Sequence, residues 1–543
     1  MLKTLKKYPV LFLSLFVAIM LLPNLDTLQV TIMEARNFIT AREMMENDNW
    51  ILTTMNGEAR YQKPPLPTWL SAISTMIFGV KSIFGMRLPA VFMVMIVGSY
   101  MFYLSRSILK SRLHSMINAL VVVTSFYVIG ITIEAPWDIF AHGFMLIAIY
   151  NLNKLFKKEQ TNWSVAIQAG FFIGLSILCK GPVSIYALLL PFLLAYGFSL
   201  KYKYIKRKTT AIFSMLIIAL IVGGWWYLYV RFQDPETFNA ITSKETGNWT
   251  SYNVRPFYYY WSFFTQSGLW TIPAVISLIY PYLKTRVSHY KAYKLSFLWT
   301  IFAVILLSII PEKKSRYLMP VLIPLAFNIG FYLEYLFRKF ITLKDKRETI
   351  LVYFNFGLIA TIAIAFPFIL FFVLKIELHN PWLILAAIVF PVIGVYLIIQ
   401  LLKKQIKNVF LLTVFFFASV FIFGLPLTDA LKSDAYKPIS DLRAENKMRG
   451  IKLYAYNYIA PETIWNYGGI IKQIPIKNKE YVFPTDREFG ILVNDMTEKQ
   501  KAILHANFDV KEITTYDLNF ATKGSKQYNK RLFSTYYIVS KKQ

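Results

Sequence analysis

Long apolar runs constrain this chain more than any other feature. About 13 of them are long enough to cross a bilayer, roughly at 8–28, 87–104, 116–133, 139–152, 164–179, 183–199, 211–230, 262–283, 295–310, 317–337, 350–374, 382–402 and 409–427. A spanning helix needs about 20 residues, so the short runs at 139–152 and 164–179 have soft boundaries. The chain is 56% hydrophobic with a mean hydropathy of +0.44, against roughly 45–50% apolar residues in a soluble domain. The pattern is that of a polytopic all-α membrane protein. The opening "MLKTLKKYP" and the apolar run behind it also fit a signal peptide. The length of that run, its lack of a small-residue cleavage site and the spans that follow favour a retained helix.

The net charge of +29 could suggest nucleic acid or a membrane, and the placement of the lysines decides between them. With Lys3, Lys6 and Lys7 in the cytoplasm, every second loop carries the positive charge: "SRSILKSR", "NKLFKKE", "KYKYIKRK", "KTRVSHYKAYK", "FRKFITLKDKRE" and "LKKQIKN". That is the cytoplasmic bias of membrane proteins, so no nucleic-acid partner is needed to explain the charge. An odd number of spans puts the C-terminus outside. The single cysteine, Cys179, rules out an internal disulfide framework.

Two soluble portions fall on the outer face, a first loop at about 29–86 and a tail after about 428. The tail alternates strand-like runs ("GIKLYAYNY", "FGILVND", "STYYIVS") with a helical stretch, "TEKQKAILHA", which reads as a small α/β domain. The expected division is a transmembrane domain over 1–428, with 29–86 as its catalytic loop, and a soluble domain over 429–543. There is no internal repeat and no low-complexity linker.

The first loop opens with "MEARNFITAREMMENDNW", where Ala35, Phe38, Ile39 and Met45 recur at helical spacing. The expectation is a helix lying on the membrane surface, apolar face down, with Glu34 and Arg36 at its start. Solvated charges on an ordinary amphipathic helix explain these two equally well. Asn56-Gly57 is a turn signal. In "YQKPPLPTWL" Lys63 precedes two prolines whose φ angles are locked. A lysine held that way suits an anion, although a snorkelling lysine on a proline-stopped loop reads the same.

Other outer loops add to this. In "TIEAPWDIFAHGF" Asp138 begins a span near the outer boundary, with His142 one turn on. The pair could share a metal, and simple helix-end polarity explains it as well. "CKGPV" supplies Lys180. "PEKKSRYLMP" puts Lys313, Lys314 and Arg316 beside Tyr317, on the side that should carry few cations. "KETGNWTSYNVRPFYYYW" adds Glu245, Arg255 and an aromatic cluster. Glu34 and Asp138 are thus the candidate catalytic residues. Arg36, Lys63, Lys180, Arg255, Lys314, Arg316 and Tyr317 are candidates for substrate binding. Cations at this depth suit a lipid phosphate, and carboxylates suit activation of a hydroxyl.

These motifs resemble a known family. "MEARN", "AREM", "NG", "YQKPPLPTWL" and "MRLP" follow, in order and spacing, the first loop of the GT-C membrane glycosyltransferases, in the group of the 4-amino-4-deoxy-L-arabinose lipid A transferases and, more distantly, the protein O-mannosyltransferases. "EAPWD", "LCKGPV" and "KSRYLMP" are similar to further motifs of that group. The resemblance covers most of residues 30–330, and the tail is not assigned by it.

It implies inverting transfer from a polyprenyl-phosphate sugar on the outer, periplasmic face of a bacterial inner membrane. The acceptor would be a lipid A-type molecule, another glycan or a protein, with membrane lipids around it. Lys63, Lys180 and Arg316 would hold the donor phosphate, and Glu34 and Asp138 would form the acidic pair. Two positions depart from the pattern. Met33-Glu34 stands where the family has Asp-Glu, and Gln62 replaces a glutamate that helps bind a metal in some relatives. No metal ligand is therefore assigned and no cofactor is assigned, a divalent cation being the one candidate left open. The rival readings are a lipid or sugar transporter, or a non-catalytic assembly protein. Transporters place their ionisable groups near the membrane midplane, whereas here they fall at helix ends.

Overall fold

The computed structural model describes residues 7–134, 136–377, 379–477 and 480–542. Lys3 and Lys6 of the basic N-terminus, and Ala135 of "EAPWD", lie outside the described residues. The chain forms two compact units. One holds 1–27, 61–70 and 87–427, the other 28–60, 71–86 and 428–543.

The first unit is helical. Among the described residues nine helices are long and apolar enough to cross a membrane: Ile83–Leu109, Trp137–Lys157, Trp163–Lys180, Ile205–Gln233, Tyr290–Ile309, Ser315–Thr342, Lys346–Val373, Pro381–Leu402 and Ile406–Leu431. The other four apolar runs of the sequence are shorter or broken. The run at 8–28 is helical over Pro9–Leu21, and that at 183–199 passes through a π turn at Ile185–Leu189. The run at 116–133 breaks between Arg112–Val123 and Phe126–Glu134, where Thr124 and Ser125 return their hydroxyls to the carbonyls of Leu120 and Val121. The run at 262–283 is not one helix. It splits into Phe263–Trp270, Thr271–Leu278 and Tyr280–Leu283 because Gly268 sits at φ 67° and Pro281 lacks the N–H a continuous helix needs.

Small residues fix the geometry of two helices that matter below. Gly170 and Gly174 face the Thr209–Gln233 helix. A Cβ on Gly174 would come within 2.6 Å of Val222, and one on Gly223 within 2.6 Å of Ile177. No side chain fits there, and close backbone approach of this kind is how helices associate in lipid. The Trp163–Lys180 helix ends at Gly181, whose φ of 67° with ψ −154° only glycine adopts without strain.

The ends of these helices separate the charges. Asp138 starts a helix that finishes with Lys154 and Lys157, while Arg316 lies near the start of one that runs on to Arg338 and Lys339. The regularly spaced basic loops therefore fall at the opposite helix ends from Asp138 and Arg316.

The second unit joins the first-loop helix to the tail. Ile32–Asn47 begins with a capping box: Thr31 Oγ1 accepts from the Glu34 N–H, and the Glu34 carboxylate accepts from the Thr31 N–H at 3.1 Å. The apolar face of this helix is covered by protein, which corrects the expectation of a free surface helix. Phe38 meets the Trp465 ring edge-on at 5.2 Å, and Arg42 donates to the carbonyls of Ile464, Trp465 and Gly469, capping the Pro461–Tyr467 helix. The Asn-Gly turn forms as read, with both residues at positive φ in a hairpin of Thr54–Met55 with Glu58–Ala59.

Buried Glu43 ties that turn down. Its carboxylate accepts from the Thr54 hydroxyl at 2.5 Å and from the N–H groups of Asn56 at 2.6 Å and Gly57 at 3.2 Å. Asn56 in turn exchanges two 2.8 Å hydrogen bonds with the Ile471 backbone. Glu43→Ala strands those donors and is expected to destabilise the unit by about 1–3 kcal/mol, read as faster proteolysis within 51–60.

In the tail, β1 (Leu453–Ala455), β2 (Lys472–Gln473), β3 (Glu488–Val493), β4 (Phe508–Asp517) and β5 (Phe533–Lys541) form one sheet in the order β2-β1-β3-β5-β4. The β1 strand is parallel to both β2 and β3, and β5 is antiparallel to β3 and β4. Alternate residues Phe489, Ile491 and Val493 enter the core with Leu504 of the Glu498–Asn507 helix.

Candidate functional site

The Lys63 strap is pinned at both ends within the first unit. Before it, the Tyr61 hydroxyl donates to Asp234 at 3.1 Å and the Tyr61 ring meets Trp226 edge-on. After it, the Trp69 N–H closes onto the Pro65 carbonyl at 2.8 Å, and the Trp69 ring stacks on Trp225 at 6.1 Å. Pro64 and Pro65 are buried, while Lys63 keeps 31% of its side chain open. Its one ion-pair partner among the described residues is Glu245, at 3.8 Å and 41% exposed, on the Pro235–Ser251 helix.

Asp138 and Lys180 form a buried ion pair, with side chains 2% and 8% exposed. Asp138 sits in the first turn of its helix, where the macrodipole favours a carboxylate. Lys180 sits in the last turn of its own, where the dipole favours a cation. His142, one turn after Asp138, brings Nε2 to 3.7 Å from the same carboxylate oxygen, and its Nδ1 lies 2.9 Å from Ser184 Oγ. The Lys180 ammonium also stands 5.1 Å from the centre of the Tyr317 ring.

A third wall comes from two paired stretches. The N–H groups of Glu312, Lys313 and Arg255 donate to the carbonyls of Trp249, Asn253 and Pro311. Lys313 is buried with its ammonium on the carbonyls of Arg255 and Ile310, so it fastens this strap. Lys314 pairs with Glu312 and lies 4.9 Å from the Tyr252 ring and 5.5 Å from that of Tyr317. Tyr260 locks the Lys314 backbone with two hydrogen bonds, at 3.1 and 3.0 Å. Arg316 makes no ion pair among the described residues, and its charge acts on Lys180.

Of the residues singled out in the sequence, Lys63, Asp138, Lys180, Lys314, Arg316 and Tyr317 form one cluster. Burial, and after it the Lys180 ammonium, hold Lys63 down to about 8, with Glu245 and Asp138 pulling the other way and Lys314 adding to the fall. Arg255 contributes its backbone to the strap and its side chain is exposed. Glu34 and Arg36 belong to the second unit, where the Glu34 carboxylate closes a helix turn and the Arg36 carbonyl accepts from Arg60. Sequence reasoning missed Glu312, Tyr252, Tyr260 and Ser184. For Glu312 there was a signal, a lone carboxylate within "PEKKSR".

A metal does not fit the side chains present. Among the described residues no three His, Cys, Asp or Glu side chains converge, and the Asp138 oxygen that faces His142 already takes the Lys180 ammonium.

Comparison with known proteins matches residues 62–227 to the family described as dolichyl-phosphate-mannose-protein mannosyltransferase. An uncharacterized protein of Aquifex aeolicus is 25% identical over 52% of this chain and 55% of its own length. "Undecaprenyl phosphate-alpha-4-amino-4-deoxy-L-arabinose arabinosyl transferase 1" of Proteus mirabilis is 26% identical over 55% of each. The chain thus spans about half the length of the curated relatives it matches. The crystal structure of ArnT from Cupriavidus metallidurans bound to undecaprenyl phosphate shares the fold, with a TM-score of 0.67 at 14% identity over 98% of each chain.

Proposed function

We propose that the chain is a GT-C membrane glycosyltransferase, in the group of the arabinosyl and mannosyl transferases, and that it transfers a sugar from a polyprenyl-phosphate donor; its match over residues 62–227, its curated relatives and its fold support this reading. The transfer inverts the anomeric centre and serves a lipid A-type or other acceptor at the periplasmic face of the inner membrane. The observation that carries this is the cluster of Lys63, Lys180, Lys314 and Arg316 about the end of the Asp138 helix. The chain is a multi-pass membrane protein. In our reading its N-terminus is cytoplasmic, residues 1–428 form the transmembrane domain with 29–86 as the catalytic loop, and 429–543 form a soluble periplasmic domain.

A departing phosphate needs its charge neutralised more than it needs a proton. Lys63, Lys180 and Arg316 take that task, with Lys314 set by Tyr252, Tyr260 and Tyr317. The edge of the membrane strengthens each contact because the surrounding dielectric is low. Glu34 and Asp138 are assigned to activation of a hydroxyl acceptor, worth about 10²–10⁴-fold where a base is needed. A phosphate acceptor needs that help less, so the effect of Glu34→Gln reports the acceptor class.

The Lys63 ammonium adds a pH dependence. Its charged form prevails below about 8 and is lost as pH rises through that value. Affinity for a polyprenyl phosphate therefore falls as pH rises from about 7 to about 9. Lys63→Arg keeps its charge throughout and flattens the profile in the same titration. A wild-type affinity constant over that range contradicts the assignment of Lys63.

A further inference from the structure

We infer that His142, fixed by Ser184, is a positioning residue that lets Asp138 release Lys180 to the donor phosphate, an inference that rests on the donor reading above. Asp138 and Lys180 neutralise each other inside the protein. A lysine held that way is a poor phosphate ligand unless its carboxylate has a second partner. Leaving Asp138 buried and unpaired would oppose donor binding by the full cost of an unsatisfied buried charge.

His142 is placed to take the vacated position. Its Nε2 is 3.7 Å from Asp138 Oδ1, beyond hydrogen-bond range while Lys180 holds that oxygen. A closing of about 0.7 Å makes the bond. Asp138 decides which way the imidazole proton points, and the Ser184 hydroxyl holds the other ring nitrogen. That hydroxyl sits 2.9 Å from Nδ1. The facing carboxylate favours the tautomer with the proton on Nε2, leaving Nδ1 to accept from Ser184. Both His142 and Ser184 are buried, which shields both contacts from bulk solvent. The helices that carry His142 and Lys180 are tied near this level by the Ser176 hydroxyl, which donates to the Ala141 carbonyl at 2.7 Å. Donors then converge on Asp138 from two sides, Ser184 through His142 on one and Lys180 on the other.

The test is the affinity of the purified full-length protein for a polyprenyl phosphate, together with KM and kcat for the sugar donor. His142→Leu is expected to weaken affinity about 10- to 100-fold, the change that goes with losing a hydrogen bond to a charged group. It should raise KM more than it lowers kcat. His142→Gln, whose amide nitrogen can stand where Nε2 does, is expected to recover most of the affinity. Ser184→Ala loosens the imidazole, weakens binding less, and serves if His142→Leu does not fold. Unchanged affinity in folded His142→Leu or Ser184→Ala protein overturns the inference. So does His142→Gln as weak as His142→Leu, since that pattern marks packing. A wild-type protein that fails to bind polyprenyl phosphate overturns the donor reading, and this inference with it.

Discussion

Lys63→Ala protein, purified and folded, loses transfer by at least about 10²–10³-fold, the scale for removing one preorganised donor from a developing oxyanion. The loss holds for any acceptor, because Lys63 is assigned to the donor phosphate. The strap around it is held by Tyr61, Asp234, Trp69 and Trp225, and none of these contacts involves the lysine side chain. Stability should therefore change little, and the defect should appear in turnover and donor affinity alone. Normal transfer by this variant removes the phosphate-clamp account.

Asp138→Ala is the second large effect, and it acts on two quantities. Lys180 has 8% of its side chain exposed and, among the described residues, no other anion in contact. Taking away one partner of a buried ion pair costs about 3–5 kcal/mol, so the thermal midpoint drops along with transfer. Asp138→Asn keeps the shape and a hydrogen-bond acceptor and restores part of the stability. It does not restore activity if the charge of Asp138 sets the position of Lys180. An Asp138→Ala protein as stable as wild type would mean that Lys180 finds another partner or releases its proton.

The parts of this site that were legible in the sequence are the ones encoded locally. Two prolines after Lys63 announce a stiff strap, and cations in "PEKKSR" that defy the loop bias announce a reason to be there. Asn56-Gly57 folds into the hairpin its composition dictates. Tertiary relations were not legible. Nothing in the sequence pairs Asp138 with Lys180, sets Ser184 against His142, or turns Lys313 inward while Lys314 faces two tyrosines.

The fold divides in the same way. Hydropathy places the apolar runs, yet it does not see that Gly268 and Pro281 break the run at 262–283. The Ile32–Asn47 helix read as amphipathic, and its partner turned out to be Trp465, more than four hundred residues away. Strand β4, "FDVKEITTYD", went unread because charged residues, as suits the edge of a sheet, obscure the alternation that marked β3 and β5.

The central claim is that a polyprenyl-phosphate sugar is the donor. Mass spectrometry of the membrane lipids and glycans of a strain lacking this protein, set against its parent, tests that most directly. The account predicts build-up of one polyprenyl-phosphate sugar together with loss of the same sugar from one acceptor, which identifies both substrates at once. Unchanged polyprenyl-phosphate pools, with no sugar missing from lipid, glycan or protein, would contradict it.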